Sequence, residues 1–304
     1  MQRISGVTAQ AKLRLERARA DHGFIDVAVR TVRRYSEDDG GFYAASLTYY
    51  TFFSIFPTLI FAASILGYVT FLSREIRDRL LSEGLNAVPL ISEILSPRNI
   101  NSIQAQRGRL AVVGLVMALY AGSGAIVALE HALNKINRVE SEPGFLQKRL
   151  RSLKWLASLA LAAVVSVALG TLAQLTGQIF GDSDVVAPVA YVLTHLLGAA
   201  LGVAVFLAAF KLLPATDQSW KEVLPGAIVA GAAFELLKAG GAWYLTAGAR
   251  GRVVTFGAFK TAATLLVASY LLSQVTLLAA EVNAVLAERR RTRQSSLGTD
   301  KEAT

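Results

Sequence analysis

Five stretches of this 304-residue chain, 40–73, 110–129, 155–181, 185–210 and 261–280, contain no Asp, Glu, Lys or Arg. About 20 apolar residues in a helix cross the hydrocarbon core of a bilayer, and each stretch reaches that length. A sixth, 223–247, does so only by carrying an acid and a base, Glu235 and Lys238. The expected fold is all-α: a polytopic membrane helix bundle of about six transmembrane helices plus amphipathic interfacial helices. Ionisable groups inside such spans are costly, so they are where function is first sought.

Hydrophobic residues make up 53% of the chain and charged residues 17%, a balance too apolar for a soluble domain of this length. Cysteine is absent, which removes disulfides, thiolate metal sites and a cysteine nucleophile. No secretory signal is expected in 1–39, a polar, basic stretch without an apolar core. The net charge of +9 raises the question of nucleic acid, and the placement of the basic residues answers it. With six spans and a cytoplasmic N-terminus, 21 Lys and Arg fall on the inner side and 9 on the outer, Lys238 being intramembrane. That asymmetry is the positive-inside pattern. The expected partners are therefore membrane lipids, with anionic inner-leaflet headgroups at the basic face, and no nucleic acid.

Three regions are expected. Residues 1–39 form a cytoplasmic segment whose apolar Phe24, Ile25, Val27, Val29 and Val32 alternate helically with Arg30, Arg33 and Arg34, as in an amphipathic helix on the inner leaflet. Residues 40–287 form the transmembrane domain, with spans at about 43–69, 110–129, 153–175, 185–213, 223–247 and 256–285 and an outward loop at 73–109 carrying short amphipathic helices. Residues 288–304 read as a disordered basic cytoplasmic tail. Pro57 lies inside the first span, where its missing donor predicts a kink. Small residues four apart, Gly114 and Ala118, Gly177 and Gly181, Gly198 and Gly202, Gly226 and Ala230, predict close helix approach. The two halves show no convincing internal repeat.

Five ordered stretches carry a resemblance. They are Ala45-Ser46-Leu47-Thr48-Tyr49-Tyr50-Thr51-Phe52-Phe53-Ser54-Ile55-Phe56-Pro57; Ala132-Leu133-Asn134-Lys135-Ile136; Leu212-Leu213-Pro214 with Trp220 and Leu224-Pro225-Gly226; Phe234-Glu235-Leu236-Leu237-Lys238; and Ala279-Ala280-Glu281-Val282-Asn283-Ala284. Together they resemble the signature of the YihY/BrkB family of bacterial inner-membrane proteins over roughly residues 25–287. Asn137 and the stretch 255–260 depart from the family pattern. The resemblance implies a six-helix inner-membrane protein with a suspected role in transport or lipid movement; that both termini are cytoplasmic is expected from the charge asymmetry. The family also carries a historical ribonuclease BN label, regarded as a misassignment, and a virulence label for one branch.

Glu235 and Lys238, three residues apart, share a helix face close enough for an ion pair. Either they lock the bundle, or Glu235 lines a polar cavity that binds a proton, a cation or a lipid headgroup. Glu281 and Asn283 sit near the inner end of the last span, about 15 Å in depth from Glu235 at the helical rise. For Glu281 a salt bridge to Lys211 or Lys221 stands beside a place at the mouth of the same cavity. Tyr49, Tyr50, Thr51 and Ser54 either put hydroxyls before the Pro57 kink, where a freed carbonyl needs a donor, or serve as an interfacial anchor, a common place for tyrosine. Gln174, Gln178, His195 and Gln274 read as helix–helix hydrogen-bonding groups.

No catalytic residue is assigned. His22, His131 and His195 lie in separate segments without metal-ligand spacing, no carboxylates cluster in a cytoplasmic domain, and no phosphate-binding glycine loop is present. The chain is thus expected to bind neither metal nor cofactor. Its expected function is to transport or translocate a lipid or envelope precursor along a path of Tyr49, Tyr50, Ser54, Pro57, Glu235, Lys238, Glu281 and Asn283. A non-catalytic envelope scaffold is the alternative, and a membrane-bound ribonuclease stands behind both. A homo-oligomer or an envelope-protein partner is left open.

Overall fold

The computed structural model describes the backbone of residues 23–72, 107–141, 143–180, 186–247 and 249–302. The outward loop expected at 73–109 lies almost wholly outside the described residues, and the segment before Gly23 lies entirely outside them. Seven helices are described: α1 (Gly23–Glu37), α2 (Gly40–Leu72), α3 (Arg107–Ile136), α4 (Phe145–Phe180), α5 (Val186–Leu212), α6 (Trp220–Ala247) and α7 (Ala249–Glu302). Among the described residues there is no strand, and the protein is a membrane helix bundle.

Among the described residues, four stretches are long and apolar enough to cross a bilayer: Gly40–Ala62, Gly108–Ile136, Trp220–Gly241 and Ala262–Thr292. Leu196–Leu212 is apolar but shorter. Only 22–28% of each of the four is buried inside the protein. Large apolar side chains such as Val112, Val116, Leu161, Ile228 and Leu236 face outward, as lipid-facing residues do. The helices overrun the charge-free runs because a bilayer boundary does not stop a helix. Only caps and breakers do.

Six helices form a closed cycle of neighbours, α2–α3–α4–α5–α6–α7 and back to α2, with α3 also touching α7. The shared core is rich in alanine, with Ala44, Ala132, Ala209, Ala227, Ala230, Ala279, Ala280 and Ala284 joined by Leu133, Phe210, Leu213 and Leu277. Small side chains let the helix axes approach, and packing replaces the hydrophobic effect as the cohesive force inside lipid. Of the expected small-residue contacts, two are tight. A Cβ on Gly114 would lie 2.9 Å from the Phe61 amide nitrogen, and one on Gly226 would lie 2.3 Å from the Ala279 carbonyl oxygen.

Helix α1 docks on α7 with polar residues among those it buries. Asp26 and Thr31 are buried, while Phe24 and Val32 are exposed. Arg30, Arg33 and Glu37 are exposed as well, so the outward side mixes apolar and charged groups. Arg289 on α7 holds Asp26 and donates to the Gly23 carbonyl at 3.1 Å. Where a disordered tail is expected from residue 288, α7 continues as helix to Glu302. Contacts from Glu288 and Arg289 back to α1 anchor its start.

Pro57 is buried, and α2 runs through it as one helix. The nearby hydroxyls turn back on their own helix, Ser54 donating to the Thr51 carbonyl at 2.8 Å and Thr58 to the Ser54 carbonyl at 2.7 Å. Neither serves the Phe53 carbonyl, the acceptor a proline at 57 leaves unserved.

Candidate functional site

The basic end of the bundle is closed by Arg34 of α1. Its guanidinium meets Glu281 at 3.2 Å and Glu288 at 2.8 Å and donates to the Ile136 carbonyl at 3.1 Å, with Asp38 at 3.9 Å. Three helices, α1, α3 and α7, are thereby tied at one side chain. Glu281 is 1% exposed and Arg34 13%. A carboxylate so deeply buried needs a partner, because an uncompensated buried charge is among the costliest defects a fold can carry. The expected partners Lys211 and Lys221 are not used. The docking of α1, which reading the spans alone does not anticipate, delivers Arg34 instead.

Next to this lock, the signature stretches fasten one another. Asn283 accepts from the Gly226 amide at 2.6 Å and donates to the Val223 carbonyl at 3.1 Å. The carboxamide thus serves two backbone groups of α6 on either side of Pro225, whose missing amide hydrogen leaves the Lys221 carbonyl without its helical donor. Gly226 leaves room for that side chain, whose Nδ2 would lie 2.5 Å from an added Cβ. Asn134 accepts from the Ala215 amide at 2.9 Å, and Asn137 accepts from Gln218, so the end of α3 holds the loop between α5 and α6. Buried Glu130 meets Arg151 of α4 at 3.2 Å. Tyr35 donates to Gln274 at 2.5 Å. Burial pushes its phenol up to about 12, assisted by Tyr270 and opposed by the bond to Gln274.

A second constellation lies inside the ring of helices. A cavity of about 520 Å³ is bounded by all six: Thr51 of α2, Ile126 of α3, Trp155 of α4, Phe206 of α5, Lys238 of α6 and Thr276 of α7 stand on its wall. Most of the wall is apolar, and Ser54, Ser273, Thr51 and Thr276 add hydroxyls. Lys238 supplies the cation. It meets Glu235 at 2.6 Å and lies 5.2 Å from the Phe234 ring centroid, so the pair expected from the spacing is formed. Unlike the Arg34 lock, it is open, with Lys238 50% and Glu235 32% exposed.

The expected path residues therefore separate. Ser54 and Lys238 reach the cavity and Glu235 stands beside Lys238. Tyr49 and Tyr50 are exposed, stacked edge to face on each other at 5.4 Å. Glu281 and Asn283 belong to the buried fastenings at the basic end, away from the cavity wall. The side chains of Gln174, Gln178 and His195 lie outside those described. Sequence reasoning passed over Arg34, Glu130, Arg151 and Asn134. One signal was present: Glu130 follows directly on the charge-free run 110–129, at a depth where a charge needs a partner.

Among the described residues, no group of three or more His, Asp or Glu is placed to hold a metal. The family described as Virulence factor BrkB matches residues 31–304. The chain is 23% identical to the ribonuclease-like protein YfkH of Bacillus subtilis, across 85% of this chain and 94% of that protein. It is 28% identical to a UPF0761 membrane protein of Methylibium petroleiphilum, across 84% of this chain and 61% of that one. It is 24% identical to the inner membrane protein YhjD of Escherichia coli, across 69% and 66%. No solved structure matches the chain.

Proposed function

This chain belongs to the Virulence factor BrkB family, and from that premise we propose that it is an inner-membrane protein that binds and moves an amphipathic lipid or envelope precursor through the cavity inside its helix ring. The carrying observation is the cavity itself: an apolar wall drawn from six helices, with Lys238 set into it. Apolar walls with a few placed polar groups are what a largely hydrophobic ligand needs. The ammonium of Lys238, already balanced by Glu235, offers a site for an anionic headgroup that can exchange for the carboxylate. In this reading six helices span the bilayer and the basic end faces the cytoplasm, in keeping with the positive-inside pattern. Nuclease chemistry is not part of the proposal; the ribonuclease-like name belongs to a relative.

Gly198 lines the cavity and faces open space, no atom lying within 4 Å of an added Cβ. Gly198→Phe should therefore fill the cavity without disturbing the packing. The expected result is normal membrane accumulation and melting, loss of the lipid that co-purifies in native mass spectrometry, and loss of function in cells. A well-folded variant that keeps both its bound lipid and its function would point to the scaffold reading instead.

A further inference from the structure

At the basic end, outside the helix ring, a separate cleft of about 500 Å³ opens between the end of α3, the loop joining α5 to α6, and α7. Its charged lining is Arg34, Arg138, Asp217, Glu288 and Arg291. Arg34 and Glu288 are already paired with each other. Among the described residues, Arg138 and Arg291 have no ion-pair partner. Within the cleft they face one remaining carboxylate, Asp217, and Arg291 also feels the charge of Glu222 at the start of α6. Thr216 stands on the same wall, its hydroxyl oxygen buried and without a hydrogen-bond partner. The wall is also held in place, since Asn137 accepts from Gln218 across the cleft and donates to the Leu133 carbonyl at 2.8 Å.

Arg138 adds an independent observation. It follows the end of α3 with φ of 54°, in the left-handed region. Its amide donates to the Lys135 carbonyl at 3.0 Å and that of Val139 to the Asn134 carbonyl at 3.0 Å, a helix ending in which glycine is the usual residue. A side chain here strains the backbone, and a strained position held by a functional group is a reasonable place to look for function. The group held there is a guanidinium at the edge of a cleft that contains another guanidinium without a direct ion pair and an unused hydroxyl.

We infer that this cleft binds a phosphate-bearing group, free or on a lipid headgroup, through Arg138, Arg291 and the Thr216 hydroxyl. Planar guanidinium groups match phosphate oxygens with paired donors, and the buried hydroxyl would gain the partner it lacks. This inference does not depend on the cavity between the spans.

The test uses the full chain in nanodiscs of phosphatidylcholine, titrated with inorganic phosphate against chloride at equal ionic strength, and in parallel discs containing phosphatidic acid. The readout is the unfolding midpoint. Arg138→Asn removes the charge while tolerating the left-handed backbone, Arg291→Gln is the second variant, and Arg33→Gln removes an equal charge from the exposed face of α1, outside the cleft. Phosphate is expected to raise the midpoint, with its half-saturating concentration moved up about tenfold in the two cleft variants, the worth of one charge-assisted hydrogen bond, and unmoved in Arg33→Gln. Stabilisation by phosphatidic acid alone, lost in the same two variants, assigns the site to a lipid headgroup. No stabilisation by either probe, or an equal loss in Arg33→Gln, overturns the inference.

Discussion

Glu281 and Glu235 are both carboxylates set within apolar spans, and each has a base beside it, yet their surroundings differ. Glu281 is sealed under Arg34, which is drawn in from the separate helix α1. Glu235 keeps a partner from its own helix, one turn away, and the two remain partly exposed at the edge of a cavity. A long-range pair of the first kind fixes how helices meet, so breaking it disturbs the junction between them. A local pair of the second kind constrains no other helix and can open toward a ligand. Position within an apolar run does not distinguish them; what the partner is attached to does.

The largest effect that tests this contrast is expected at Arg34. Arg34→Leu strands Glu281 in a buried site and should destabilise the protein by about 3–5 kcal/mol, read as a fall in membrane accumulation and in the unfolding midpoint in detergent. A midpoint close to that of the parent would remove the distinction between lock and open pair. Gly226→Ala should follow, at about 1–3 kcal/mol, because its Cβ would overlap the Ala279 carbonyl and the side chain of Asn283; the same melts measure it. The double variant Glu235→Gln, Lys238→Met is expected to stay within about 1 kcal/mol of the parent, as partly exposed pairs do, yet to lose bound lipid in native mass spectrometry. Instability comparable to Arg34→Leu would make that pair a second lock.

The smallest effect concerns Tyr35, which joins α1 to α7 through Gln274. Its folded phenol is pushed from 10.0 up to about 12. Between those values the unfolded chain releases a proton that the folded chain retains, so stability falls as pH rises through the window and is unaffected below it. Melts taken across the window should show a decline in the parent that Tyr35→Phe lacks. Parallel curves would mean that burial of α1 against the bundle is not what holds the phenol neutral.

Much of this was legible in the sequence for particular reasons. The helices were marked by runs without charge, since lipid leaves no other way to satisfy a backbone. The Glu235–Lys238 pair was marked by a spacing of three, which puts both on one helical face. Asn283 and Gly226 stood out in the signature stretches, but their bond to each other joins residues 57 apart in sequence, and no periodicity encodes that. Arg34 looked like one more basic residue on an interfacial helix. Nothing in its neighbours says that the helix turns Asp26 and Arg34 onto the bundle.

The sequence by itself determined that the chain is an all-helical membrane protein, because the bilayer imposes its requirement locally, on every residue of a span. Tertiary structure alone decided the rest: which carboxylate is locked and which is open, which helices close into a ring, and that the ring leaves a cavity with Lys238 on its wall. These depend on which helix faces which across the bundle, and inside lipid that choice rests on small-residue packing and a few polar fastenings between distant residues.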